Sequence, residues 1–368
     1  MSSLRTKPEA VSTNGPAGPA PTLAVRHVPV DADDAGQRLD NFLVRLCRDV
    51  PKSHLYRLIR SGQLRVNGKR QAVDYRLQAG DSIRVPPIRL APGGGAAGVG
   101  PASGAAAERV QRTRAGLAQR LPVLFEDDWL LAIDKPASVA VHGGSGVSSG
   151  VIEQLRAARP QARLLELVHR LDRETSGVLL VARKRAALVA LHAQLRERDT
   201  DKRYLAIVAG RWPLRTRTLA FPLHRHEAPD GDRRVSVQAG GLDAVTRVTG
   251  LARFELPPLG EFSLVEARLE TGRTHQIRVH LAHAGCPIAG DPKYGRFDLN
   301  RDLARRGFRR MFLHAWSIAF RHPDGGRATR IEAPMPDDFE QMLRAGGTTW
   351  TPGGGRRDGT LQRSGVAS

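Results

Sequence analysis

The chain has 368 residues, enough for two domains, and its 40% hydrophobic content can bury at least one substantial core. Lys and Arg number 57 against 37 Asp and Glu, a net charge of +20 spread along the chain, so polyanions are the expected partners. No run approaches the roughly 20 apolar residues of a membrane helix, and two cysteines, Cys47 and Cys286, argue against both a disulfide framework and a cysteine zinc site, so a reducing cytoplasm is expected.

Residues 1–25 and 346–368 are rich in Gly, Pro, Ser and Arg and are expected to be disordered tails. Residues 91–118, opening on Pro92-Gly93-Gly94-Gly95, read as a flexible linker. Between the N-terminal tail and this linker, residues 38–90 form a small unit. Leu39, Phe42, Leu43 and Leu46 recur at helical spacing, and a second helix is predicted over 53–60. A strand over 64–66 enters an Asn67-Gly68 turn, and residues 81–85 return as a second strand. Arg48, Lys52, Arg57, Arg60 and Lys69 would give this unit a positive face suited to phosphates. For any one of them an ordinary solvated basic surface is the alternative.

Residues 119–345 alternate strands with a few helices. Strands over 122–126 and 129–133 flank Asp127-Asp128, and strands over 165–168 and 178–182 bracket the segment from His169 to Gly177. Leu188, Leu191 and Leu195 mark a helix, followed by strands over 202–208, 245–254, 262–269 and 311–320 and a helix over 274–284. The fold class expected is α+β, a large mixed or antiparallel sheet following a small first domain.

Asp172 stands in a polar loop beside Arg170 and Arg173, and opposed charge keeps a carboxylate ionised, as a nucleophile must be. An Asp before Thr175-Ser176-Gly177 is also an Asx turn leading into a strand, and on spacing alone that structural reading is the stronger. Thr271 to Arg278 reads as a turn and a helix start, with Thr274 as N-cap and Arg273 and Arg278 near an anion-attracting terminus. Tyr204, after Lys202-Arg203, can stack on a base or exchange a proton, or be plain strand core. His275, His280 and His283 do not share one helical face, so no metal site is expected. Gly143-Gly144-Ser145-Gly146 lacks the Gly-Lys-Ser/Thr ending of a phosphate loop, and neither a nucleophile elbow nor a dinucleotide fingerprint occurs.

The stretch from Arg38 through Ser53-His54-Leu55-Tyr56-Arg57 to Asn67-Gly68-Lys69 resembles the S4 RNA-binding module. Further motifs follow in order: Ile133-Asp134-Lys135-Pro136, His169-Arg170-Leu171-Asp172, Lys202-Arg203-Tyr204, Thr271-Gly272-Arg273-Thr274-His275-Gln276-Ile277-Arg278, Gly290-Asp291-Pro292-Lys293-Tyr294-Gly295 and Leu313-His314-Ala315. Together they resemble the RluA-type pseudouridine synthases, from about residue 38 to residue 342. Ala137-Ser138 departs from a family pattern that usually has glycine second. The resemblance implies a pseudouridine synthase catalytic domain over 119–345, acting without a cofactor on 23S ribosomal RNA, as a monomer. It implies that Asp172 is the essential aspartate, Tyr204 the neighbour of the target base, Arg278 the partner of Asp172, and Arg170 a wedge entering the RNA. Arg173, Lys202, Arg273 and His275 would join Arg48, Lys52, Arg57, Arg60 and Lys69 in contacting RNA. A non-catalytic RNA-binding or ribosome-assembly protein, or a sister synthase with other target uridines, is the alternative. A two-carboxylate glycosidase lacks its second carboxylate.

Overall fold

A computed structural model describes residues 25–31, 34–47, 50–88, 121–143, 150–227 and 233–351. The chain forms two compact units, Met1–Pro101 and Ala102–Ser368. The proposed linker and Arg48 fall outside the described residues, as do the N-terminal tail before Val25 and the end of the C-terminal tail.

The first unit contains β1 (Arg26–Pro29), α1 (Leu39–Leu46), α2 (Lys52–Arg60), β2 (Arg65–Val66) and β3 (Ser82–Val85). Its antiparallel sheet runs β1-β3-β2. Leu39, Phe42 and Leu43 of α1 and Leu55, Leu58 and Ile59 of α2 close over Val66, Ile83 and Val85, which explains the helical spacing read from the sequence. Asn67 and Gly68 both take left-handed angles, +50° and +73°, and bring Val66 back to Lys69 in a tight turn. The unit begins before residue 38, because β1 covers an edge of β3 that would otherwise be left unpaired.

The second unit runs β4 (Val123–Glu126), β5 (Leu130–Lys135), α3 (Val151–Ala158), β6 (Glu166–Leu167), β7 (Ser176–Ala182), α4 (Arg185–Glu197), β8 (Asp201–Ala209), β9 (Thr216–Ala220), β10 (Leu223–Glu227) and β11 (Arg233–Val237). It continues with β12 (Val245–Glu255), β13 (Glu261–Leu269), α5 (Gln276–His283), α6 (Phe297–Arg305), β14 (Leu313–Arg321), β15 (Ala328–Glu332) and α7 (Asp337–Ala345). Ten strands form one sheet ordered β4-β5-β7-β14-β8-β13-β12-β9, with β6 on β7 and β15 on β14. The sheet is mixed through a single parallel contact, β7 with β14, at His314↔Ser176 and Ala315↔Gly177.

Every residue of β7 is buried, which its unbroken apolar run requires, since helices cover both faces of this part of the sheet. Val178 and Leu180 face Leu188 and Leu191 of α4, while Leu179 and Val181 face Ile152 and Leu155 of α3. A third core under β8, β12 and β13 collects Ile277 and Leu281 of α5, Leu299 and Leu303 of α6 and Phe339 of α7.

Residues 346–351, expected to belong to the tail, are ordered. Thr348 N–H donates to Leu343 O at 3.0 Å, and the Trp350 ring lies 5.7 Å from Trp316, so these residues still pack on the second unit.

Candidate active site

The loop between β6 and β7 carries Asp172, and two features of its surroundings set its course. Gly177 has φ of +108°, and a Cβ there would sit 2.2 Å from Ala315 O, so only glycine lets β7 meet β14 this closely. On the other side, the fully buried Lys135 ammonium donates to Pro136 O, Val139 O and Arg173 O at 2.8, 2.7 and 3.0 Å, tying the end of β5 to the residue after Asp172. Burial pulls Lys135 down to about 7. Ser138 holds φ of +65°, a conformation open to glycine, and its hydroxyl donates to Glu174 at 2.9 Å.

Asp172 lines a cleft of about 600 Å³ whose wall includes Arg170, Lys202, Tyr204, Arg273, His275 and Arg278. These are the residues singled out from the sequence in this domain, apart from Arg173, which is exposed, pairs with Glu174 at 3.2 Å and stands outside the cleft lining. Arg278 comes from α5 and donates through Nη1 to Asp172 Oδ2 at 3.0 Å. The Arg278 side chain is 4% exposed and that of Asp172 is 23%, so the cation is held in the protein while the carboxylate keeps one side open to the cleft. Burial lowers a guanidinium's affinity for its proton, but here the Asp291 and Asp172 carboxylates outweigh burial and raise it.

Tyr204 from β8 packs at the junction of two cores. Burial, with the nearby Asp172 charge second, pushes its phenol well above the usual value, so it stays protonated. Burial likewise lowers Lys202, whose ammonium lies beside Gly272. The expected Thr274 N-cap is not formed: His275 is the cap residue, with φ of +54° and no side-chain capping bond, and Thr274 Oγ1 accepts from Arg225 of β10. Gln276 serves the turn instead, accepting from Arg273 N–H at 3.0 Å and Thr271 Oγ1 at 2.7 Å. The left-handed turn directs His275 inward, Nε2 3.8 Å from Asp172 Oδ2 and Nδ1 2.8 Å from the Tyr294 hydroxyl. Burial lowers the His275 imidazole, favouring its neutral form.

Asp291 and Tyr294 belong to the Gly290–Gly295 motif and have no role assigned from the sequence, yet both reach this site. Asp291 takes Arg278 Nε at 2.7 Å and Nη2 at 2.8 Å, and the Tyr294 ring lies 5.1 Å from the guanidinium carbon. Their signal lay in the chemistry of the motif, a carboxylate and an aromatic ring between two glycines. Among the described residues, no three His, Cys, Asp or Glu side chains converge as a metal site.

A basic cleft around one ion-paired carboxylate, in a chain with a separate basic helix-and-hairpin unit, has the makings of an enzyme acting on RNA. Residues 129–283 match the RNA pseudouridylate synthase family and residues 37–83 match the S4 domain. The chain is 47% identical over 330 residues to the ribosomal large subunit pseudouridine synthase C of Escherichia coli O157:H7, covering 88% of this chain and 97% of that protein. It is 47% identical over 326 residues to the protein of the same name from Yersinia pestis, covering 87% and 95%. The solved structure of human RNA pseudouridylate synthase domain containing 4 shares the fold, with a TM-score of 0.52 at 24% identity over 64% of this chain and 97% of that one. The chain belongs to the RNA pseudouridylate synthase family, isomerases that convert uridine in RNA to pseudouridine.

Proposed function

We propose that this protein converts uridines of 23S ribosomal RNA to pseudouridine, working in the cytoplasm as a monomer, with Asp172 as the carboxylate that acts on the target nucleotide. The naming of its relatives for the large ribosomal subunit supports the RNA, and the buried Arg278 bonded to a half-open Asp172 carries the assignment of the residue. The reaction breaks the bond from C1′ to N1 and joins C1′ to C5; C5 loses a proton and N1 gains one. Nothing is oxidised and no group is added. Among the described residues, Asp172 Oδ1 receives no hydrogen bond, so one carboxylate oxygen faces the cleft while Arg278 keeps the group charged and oriented.

The target must leave its stack at a cost of a few kcal/mol. Arg170 is exposed on the cleft wall two residues before Asp172, where it can fill the space the nucleotide leaves. Tyr204 offers a ring and an undissociated hydroxyl to the base. Lys202, Arg273 and His275 contact the flanking RNA along the cleft, and Arg173 does so from the exposed loop. Lys52, Arg57, Arg60 and Lys69, all exposed on the first unit, supply phosphate contacts that add affinity.

Pseudouridine mapping in 23S RNA from cells lacking the protein should show specific sites lost, restored by the wild-type chain and not by Asp172→Asn. In vitro that variant should lose roughly a thousandfold in single-turnover rate, about 4 kcal/mol of barrier. Its RNA affinity should stay within about threefold, because one cleft residue contributes little to the summed phosphate attraction. Retained activity in Asp172→Asn would remove the assignment.

A further inference from the structure

Arg278 is held from two sides. Its Nη1 reaches Asp172, while Nε and Nη2 donate to the two oxygens of Asp291, whose own surface is entirely buried. Asp291 Oδ1 also accepts Lys293 N–H at 2.8 Å and Tyr294 N–H at 3.0 Å. Upstream, Gly290 has φ of +74°, and a Cβ there would meet Arg310 O at 1.9 Å, which fixes the turn that delivers the carboxylate. Burial alone would raise the Asp291 carboxyl, but Arg278 and the two backbone N–H groups outweigh it and keep it ionised.

We propose that Asp291 is a positioning residue of the isomerisation: by clamping the Nε/Nη2 edge of Arg278 it aims Nη1 at Asp172 and shares the guanidinium's charge. This rests on the reading that Asp172 and Arg278 act on the uridine. The physical need is plain. An arginine side chain is long and rotamer-rich, and a single bond to Asp172 leaves the guanidinium free to swing about it. A bidentate pair removes that freedom before substrate arrives. Two carboxylates also share one cation, so Asp172 is not fully neutralised by its partner and its charge stays available to the target nucleotide. The Tyr294 ring against the guanidinium face completes the clamp.

The test is single-turnover kinetics on the 23S RNA fragment that the wild-type chain modifies, comparing Asp291→Asn, Arg278→Lys, the double variant and Asp172→Asn. Asn keeps an acceptor for the Lys293 and Tyr294 N–H groups but opposes Arg278 Nε with an amide. The expected loss in rate for Asp291→Asn is roughly a hundredfold, the scale of a small misplacement of a catalytic group, with RNA affinity within about threefold. Lysine has no fork to clamp, so Asp291→Asn should cost less than about threefold further in the Arg278→Lys background. A wild-type rate in Asp291→Asn, a loss confined to RNA affinity, or a full hundredfold loss repeated in the Arg278→Lys background would overturn the proposal. If Asp291→Asn does not fold, Asp291→Ser, whose hydroxyl can still accept from the turn, takes its place with the same expectations. Failure of both to fold would make the carboxylate structural and also overturn it. Activity in Asp172→Asn, by contrast, would strike the underlying reading and take the proposal with it, whereas the Asp291 and Arg278 outcomes strike the proposal alone.

Discussion

His314 and Ser176 face each other at the foot of the loop that carries Asp172, with no exposed surface on the imidazole. Ser176 Oγ accepts from Arg310 Nη2 at 2.6 Å and shares a hydrogen bond of 2.8 Å with His314 Nδ1. Burial first and the Arg310 charge second push His314 down to about 3 from an ordinary 6.5. A histidine depressed in the folded state contributes stability that is present above pH 6.5 and is lost as pH falls toward 3. Asp134, pushed up to about 6 by burial, acts the other way, weakening the fold as pH rises from 3.8 to 6. Comparing wild type with His314→Gln isolates the histidine. Between pH 6 and 4 the slope of unfolding free energy against pH should flatten by up to one proton, about 1.4 kcal/mol per pH unit, in urea titrations. An unchanged slope would show that His314 does not couple to acid unfolding. At this scale Asp172, Tyr204 and Arg278 were legible in the sequence through ordered motifs. Nothing in the linear pattern tells that Lys135 turns inward onto three carbonyls, or that Asp291 answers Arg278 from 13 residues away.

Among the elements, the strands that bracket Asp172 were legible because apolar runs are what a sheet covered on both faces needs. β7 was predicted over 178–182 and begins two residues earlier, at Ser176. Those two residues make the parallel contact with β14, and neither Ser176 nor Gly177 has the apolar character that marks a strand. Gly177→Ala should place a methyl group against Ala315 O and strain a left-handed φ, costing at least about 2 kcal/mol. Its thermal midpoint should fall by several degrees and its turnover should fall with it, since β7 anchors the loop. A variant with wild-type midpoint would mean that β7 and β14 have room to part. The pairing of β10 with β11 and the helices α3, α6 and α7 were not read from the sequence. In α6 and α7 the amphipathic face is short, only Leu299 and Leu303 or Phe339, Met342 and Leu343 being buried. Short faces of this kind stand out weakly against surrounding loop.

Across the whole molecule, the net charge of +20 gains meaning from where it sits. Lys52, Arg57, Arg60 and Lys69 are exposed, so replacing all four by Gln leaves the first unit's core untouched. If each meets a phosphate, the slope of log affinity against log salt should become shallower by roughly 3, at about 0.7–0.9 per contact. Turnover at saturating enzyme should be unaffected, and filter binding across a salt series reads the slope. An unaltered slope would deny this face a part in binding RNA.

The sequence by itself determined the two-unit plan, the basic character, the order of motifs and, through that order, which carboxylate to propose as the acting one. Those depend on local pattern and residue chemistry, which survive in one dimension. Tertiary structure alone decided that Asp291 clamps Arg278, that Lys135 braces the loop, that His275 rather than Thr274 is the cap residue of α5, and that Trp350 packs beyond the expected domain end. Each of these is a contact between residues brought together by the sheet or by a turn's sterics, and burial gives it strength by excluding the water that would compete for the same hydrogen bonds.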